Sequence, residues 1–168
     1  MIRTLTRRGW AALAGLSVLA VLPAALGRLP PVALVNESAS LPRGLYLRRV
    51  GTTPGRGMAA AAVQPETARA YLAQWAVPDD MLLIKRVAAA GGDRVCRHGD
   101  LVTGPFGAVT AATRDRGGAA LPAWSGCRIL GEDEVFLLGD TTRSFDSRYY
   151  GPVRRAALRG AYLRVATW

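Results

Sequence analysis

Met81-Leu82-Leu83-Ile84-Lys85-Arg86-Val87-Ala88-Ala89-Ala90-Gly91-Gly92-Asp93 is an apolar run interrupted by two cations and closed by a glycine turn. It reads as a strand over 81–89, which puts Met81, Leu83, Lys85, Val87 and Ala89 on one face. A charged amine in the middle of an apolar row is costly unless it is neutral or paired. Lys85 is also the only lysine in a chain with twenty-one arginines. Arginine serves as the routine cation, so a retained lysine is a candidate for work a guanidinium cannot do. A desolvated lysine loses its proton and acts as a base, whereas arginine stays charged. The plain alternative is a lysine at a strand edge, its stem packed and its head in water.

Outward from this strand the texture stays mostly β, with short apolar runs separated by glycine-rich turns. Strands are expected over 44–50, 93–97, 101–103, 134–138 and 161–166, and a helix over 65–75 with Pro65 in its first turn. Residues 59–62, all alanine, suit either a helix extension or a strand. The Gly-, Ala- and Pro-rich stretch 104–126 reads as a loop or a weakly specified hairpin.

The N-terminal part is different in kind. Arg3, Arg7 and Arg8 precede a run from Gly9 to Gly27 that carries no charge. A helix of that length, rising about 1.5 Å per residue, nearly crosses a hydrocarbon core of roughly 30 Å. Basic residues ahead of it favour a cytoplasmic N-terminus and export of the chain beyond the run. The expected organisation is a cytoplasmic segment 1–8, a transmembrane anchor 9–27 and an extracytoplasmic domain 28–168. A cleaved signal peptide, with Ala24 and Ala25 near the cut, is the alternative and leads to the same compartment.

Cys96 and Cys127 suit a disulfide in an exported domain, no Cys-His cluster with zinc-ligand spacing being present; two free thiols are the other reading. The net charge of +10 is spread over scattered arginines, and no nucleic-acid-binding motif accompanies it. Anionic lipid headgroups would suit that charge on an anchored domain equally well, and charge alone does not choose between them; with the anchor and without such a motif, the expected partners are membrane lipid and not nucleic acid.

Two further clusters carry chemistry. In Asn36-Glu37-Ser38-Ala39-Ser40-Leu41-Pro42-Arg43-Gly44-Leu45-Tyr46, Pro42 restricts the backbone and Gly44 permits an unusual turn, so that Ser40 is presented in one orientation before a strand. A serine-containing linker is the simpler reading of the same residues. In Gly139-Asp140-Thr141-Thr142-Arg143-Ser144-Phe145-Asp146-Ser147-Arg148-Tyr149-Tyr150-Gly151, Asp146 and Arg148 can pair locally while Ser144 reaches into a site. Two aspartates six apart fall short of a calcium-loop pattern. The lone His98 sits in a turn sequence, where a histidine is ordinarily solvated.

In this order the clusters resemble the signal peptidase I family of serine-lysine proteases. Asn-x-Ser-x-Ser-x-Pro-x-Gly-x-Tyr is similar to the TraF-type branch of conjugative plasmid transfer. The resemblance implies a mostly β catalytic domain of the kind shared with self-cleaving, LexA-like repressors, and no metal or cofactor. It implies Ser40 as nucleophile and Lys85 as general base. Ser38 would be an oxyanion donor and Ser144 the hydroxyl that orients the lysine, with Asp146 and Arg148 as structural support. Exported preproteins, pilin-like precursors among them, are the implied substrates, processed at the bacterial inner membrane on its periplasmic face. A silent assembly or binding module of a secretion apparatus is the non-enzymatic alternative. Two departures, Gly91-Gly92-Asp93 in place of Pro-Gly-Asp and Arg56-Gly57-Met58-Ala59 in place of Arg-Gly-Asp-hydrophobic, leave the local strand boundaries open, and the first implies a looser turn.

Overall fold

The computed structural model describes residues 29–168. The expected anchor 9–27 and the segment 1–8 lie outside the described residues. Among the described residues, no helix is long and apolar enough to cross a membrane.

Two antiparallel sheets carry the fold. The larger has the order β1-β2-β11-β3-β4-β9-β10, from strands β1 (Ala33–Asn36), β2 (Gly44–Arg49), β3 (Ala59–Ala62), β4 (Leu83–Ala90), β9 (Glu134–Leu138), β10 (Val153–Arg154) and β11 (Leu158–Thr167). The smaller has the order β7-β6-β5-β8, from β5 (Arg94–His98), β6 (Leu101–Gly104), β7 (Gly107–Thr110) and β8 (Gly126–Ile129). Helix α1 (Glu66–Ala73) joins β3 to β4, and the short α2 (Ser147–Tyr150) comes after β9. Pro65 is the N-cap of α1, one position before the first turn where the sequence suggests it.

Residues 59–62 resolve as a strand because both faces are covered. Ala60 and Ala62 join one apolar cluster with Val87, Leu137 and Leu72 of α1, while Ala59 and Ala61 join another with Leu41, Tyr46, Ile84 and Tyr162. Four consecutive side chains are buried, and only small ones fit between neighbouring strands on both sides. β9 does the same with larger residues: Val135 and Leu137 face the first cluster, Phe136 and Leu138 a third. That third cluster holds Val95 and Val102, and so packs the small sheet on the large one.

β4 departs from the sequence expectation in a useful way. It begins at Leu83, with Met81 exposed, and a register shift between Val87 and Ala89 breaks its alternation. Leu83 and Val87 therefore face the first cluster while Ala89 joins the third. Lys85 lies between Leu83 and Val87 on the same face, opposite Ile84 and Arg86. The Gly91-Gly92-Asp93 turn is not loose: Asp93 accepts from the Ala90 N–H at 2.8 Å and receives Arg56 on both carboxylate oxygens, at 2.7 and 2.6 Å.

Within 104–126 the chain forms the β6–β7 hairpin, then an isolated bridge between Arg114 and Ala120 before β8. β8 pairs with β5 so that Cys127 faces Cys96, and the two are joined as a disulfide across 31 residues of sequence. His98 is exposed beside it, its Nε2 3.5 Å from Cys127 Sγ. Loop-closure entropy for this span gives about 3–4 kcal/mol of stabilisation. Replacing both cysteines by alanine should lower the unfolding free energy of the domain by about that amount, measured by urea titration.

Candidate active site

Asn36 ends β1 and organises the loop after it. It is 4% exposed, and its amide nitrogen donates to the carbonyls of Leu41 at 2.9 Å, Ser38 at 3.1 Å and Pro42 at 3.2 Å. Its Oδ1 accepts from the Ser38 N–H at 3.2 Å and the Ser38 hydroxyl at 2.8 Å. Three carbonyls on one side and two donors on the other leave one orientation for the amide. Tyr46 adds a hydroxyl bond to the Pro42 carbonyl at 2.8 Å. Gly44 has φ of +150°, and a side chain there would collide with the Ala166 carbonyl, so only glycine closes the loop against β11. In the sequence Asn36 is one position of the serine cluster with no role of its own; its part is a hydrogen-bond role that composition does not reveal.

Ser40 is held at the end of this network. Its hydroxyl lies 2.7 Å from the Ser38 hydroxyl. Since the Ser38 proton points to Asn36 Oδ1, an acceptor only, the Ser40 proton is the one shared between the two serines. The Ser40 carbonyl accepts from the Asp140 N–H at 2.6 Å, which ties the serine loop to the segment after β9.

That segment brings the other groups in. A Cβ on Gly139 would collide with the Ser144 hydroxyl and lie 2.7 Å from the Ser40 carbonyl, so Ser40 and Ser144 meet across a position that tolerates no side chain. Asp146 caps α2 and accepts from the Gly139 N–H at 2.8 Å. Arg148 pairs with it through Nε at 2.8 Å and a terminal nitrogen at 3.1 Å, with both side chains buried. The remaining guanidinium protons go to the carbonyls of Thr110, Thr141 and Thr142. Ser147 supports the same corner, its hydroxyl accepting from the Leu137 N–H at 2.9 Å.

Lys85 enters from β4. Its neighbour Arg86 stands opposite Leu138 and holds Asp140 by two bonds, at 2.9 and 2.7 Å, on the outer face. Lys85 points the other way and is 5% exposed. Burial draws its pKa down from 10.5 to about 8; the Asp146 carboxylate opposes the shift and the Arg148 guanidinium adds to it. Ser144 is 2% exposed, and its hydroxyl has no hydrogen-bond partner among the described residues. A hydroxyl buried in that way costs about 1–3 kcal/mol and marks a place where a polar group is wanted. Ser40 and Ser144 thus approach each other at Gly139, Asp146 and Arg148 brace that turn, and Lys85 lies within the field of that pair. His98 belongs to the small sheet, beside the disulfide.

Comparison with known proteins places the chain in a family. The family model described as signal peptidase, peptidase S26, matches residues 11–167. The chain is 34% identical over 151 residues to a plasmid transfer protein TraF of Escherichia coli, covering 81% of this chain and 84% of that protein. It is 34% identical over 111 residues to a probable conjugal transfer protein TraF of Sinorhizobium fredii, covering 64% and 58%. Among solved structures, a signal peptidase I of Enterococcus faecalis V583 aligns with a TM-score of 0.40 and 19% identity, over 66% of this chain and 97% of that one.

The geometry predicts two outcomes. At pH 7 Lys85 is charged in both folded and unfolded chains, so the folded state bears the full burial penalty. Between about 8 and 10.5 the folded amine is neutral while the unfolded one still holds its proton, so stability rises with pH across that window. Lys85→Met should therefore be more stable than wild type at pH 7, and the gap should narrow across that window and level off above about pH 10.5, read from paired urea titrations. Asn36→Ala leaves buried carbonyls and the Ser38 hydroxyl unmatched and should cost about 2–3 kcal/mol by the same measurement.

Proposed function

Because the chain belongs to the signal peptidase (peptidase S26) family, we propose that it is a serine endopeptidase with a Ser40–Lys85 dyad that removes leader peptides from exported proteins. The observation that supports the reading is the buried Lys85, its pKa drawn down to about 8 within reach of Asp146, whose carboxylate also holds the Gly139 N–H where the Ser144 hydroxyl and the Ser40 carbonyl approach. A lysine with that pKa is neutral often enough near pH 8 to act as a base and charged often enough to return the proton.

In this mechanism the substrate carbonyl arrives beside Ser38, whose hydroxyl turns from Asn36 to the carbonyl oxygen. That releases the Ser40 proton from its bond to Ser38, and the neutral Lys85 amine takes it. Ser40 Oγ attacks the carbonyl carbon, and the charge on oxygen is met by the Ser38 hydroxyl and the Ser40 N–H, each donor contributing about 3–4 kcal/mol. Lysine then gives its proton to the leaving amine as the peptide bond breaks. Water, deprotonated by the neutral lysine, attacks the acyl-enzyme and restores Ser40. If the substrate's own amine attacks instead, a new peptide bond closes a ring. Ser144 holds the amine toward Ser40, and the Asp146–Arg148 pair holds Ser144 and Gly139 in place.

The TraF relatives support a conjugative setting, with pilin-like precursors as substrates. We place the catalytic domain at the periplasmic face of a bacterial inner membrane, tethered by the uncharged run 9–27. A bilayer-anchored site suits precursors held by their own hydrophobic segments.

The test is co-expression with exported pilin-like precursors, with mass spectrometry of the products. Wild type should cleave; Ser40→Ala and Lys85→Arg should each lose on the order of 10⁴-fold in kcat. Retained cleavage by Lys85→Arg would overturn the base assignment, because arginine keeps the charge but not the chemistry. A product one water lighter than the linear form would identify ring closure.

A further inference from the structure

A cavity lies beside the turn that carries Ser144. It has a volume of about 410 Å³ and lies between α1 and its C-terminal turn, the 112–121 loop and residues 142–145. Its walls are aromatic. Tyr71 and Phe145 meet with ring centroids 4.7 Å apart, Phe145 stacks on Tyr149 at 5.6 Å, and Trp75, 54% exposed, lines the same space.

Its charged lining is one-sided. Asp115 is the only acid among the described residues that line it, and its carboxylate is already taken by the Tyr71 hydroxyl at 2.8 Å and the Ala119 N–H at 2.9 Å. Arg114 donates to the Gly118 carbonyl. Arg116 and Arg143 are exposed at the cavity and, among the described residues, neither is engaged in a hydrogen bond or ion pair. Aromatic walls with free guanidiniums suit an apolar side chain flanked by carboxylates. A nucleic-acid strand would need a basic groove running past several nucleotides, whereas here two free guanidiniums sit on one local cavity.

The cavity is joined to the candidate active site by one turn. The Ser144 N–H closes onto the Thr141 carbonyl at 3.2 Å; the Ser144 hydroxyl faces Gly139 and Ser40, and the flanking Arg143 and Phe145 line the cavity. A polypeptide engaged at one side of that turn is held close to the other.

We propose that this cavity is a docking site for an acidic segment of the protein substrate, an aromatic side chain between glutamates or aspartates. The assignment of that segment to the substrate rests on the peptidase reading. The cavity's own preference does not, and the two are separable by experiment.

The probe is a capped peptide with a central Glu-Phe-Glu, titrated into the full-length Ser40→Ala protein, with binding read by calorimetry and by Trp75 fluorescence. We expect saturable binding that weakens with added salt, falls about tenfold in Arg116→Glu, and is absent for a Lys-Phe-Lys peptide. Trp75→Phe should remove the fluorescence change while calorimetric binding persists. In the active enzyme the Glu-Phe-Glu peptide should raise the KM for a precursor and leave kcat unchanged. Equal binding of the Lys-Phe-Lys peptide, indifference to Arg116→Glu, or tighter binding of a short oligothymidylate would overturn the proposal. Unchanged KM at saturating peptide would overturn the substrate assignment. Failure of wild type to cleave any precursor would count against the peptidase reading, and the peptide titrations would still decide what the cavity binds.

Discussion

The buried pair of Asp146 and Arg148 is the interaction on which the candidate site depends. Its members are 0% and 2% exposed in side chain, and the acid also holds the Gly139 N–H while the guanidinium gathers carbonyls from three separate residues. Two buried charges are rarely a net gain over well-packed apolar residues, but removing one partner is severe. What the pair supplies is position: α2, Gly139 and the Ser144 turn are all referred to it. It also acts on Lys85. Burial is the largest influence there and lowers the lysine pKa; Asp146 opposes it by favouring the charged amine, and Arg148 adds to it.

The serine loop is built on a second, smaller principle. An exposed Ser38 and a buried Ser40 are placed by backbone bonds that converge on the Asn36 amide, itself buried at the end of β1. Asp140 then fastens the loop from the other sheet position, its N–H on the Ser40 carbonyl and its carboxylate on Arg86. Strands β4 and β9 are adjacent, so the lysine strand and the serine loop are referred to one short stretch of backbone.

Much of this was legible in the residues. The strands at 44–50, 93–97, 101–103, 134–138 and 161–166 lie within one to three residues of β2, β5, β6, β9 and β11, because their apolar runs are bounded by glycines. Other stretches were not legible. Ala59–Ala62 has no periodicity to read, and its strand exists because neighbours cover both faces. β7 and β8 are short, largely exposed and poor in apolar residues, so their pairing comes from β6 and β5 rather than from their own composition. β1 pairs with β2 alone, at an edge of the large sheet.

Sequence by itself determined the chemistry on offer: one lysine in an apolar row, serines before a Pro-x-Gly turn, and an acid and an arginine two residues apart. Those are covalent facts of residue type and spacing, and local strand alternation is enough to say that Lys85 and Arg86 face opposite ways. Only the tertiary structure decided which groups meet. The register shift after Val87, the glycine at 139 and the Asn36 amide bring residues about forty-five to one hundred positions apart into one corner, and no local pattern encodes such contacts. The lowered pKa of Lys85 is likewise a property of that enclosure, since desolvation exists only once the surrounding sheets have closed.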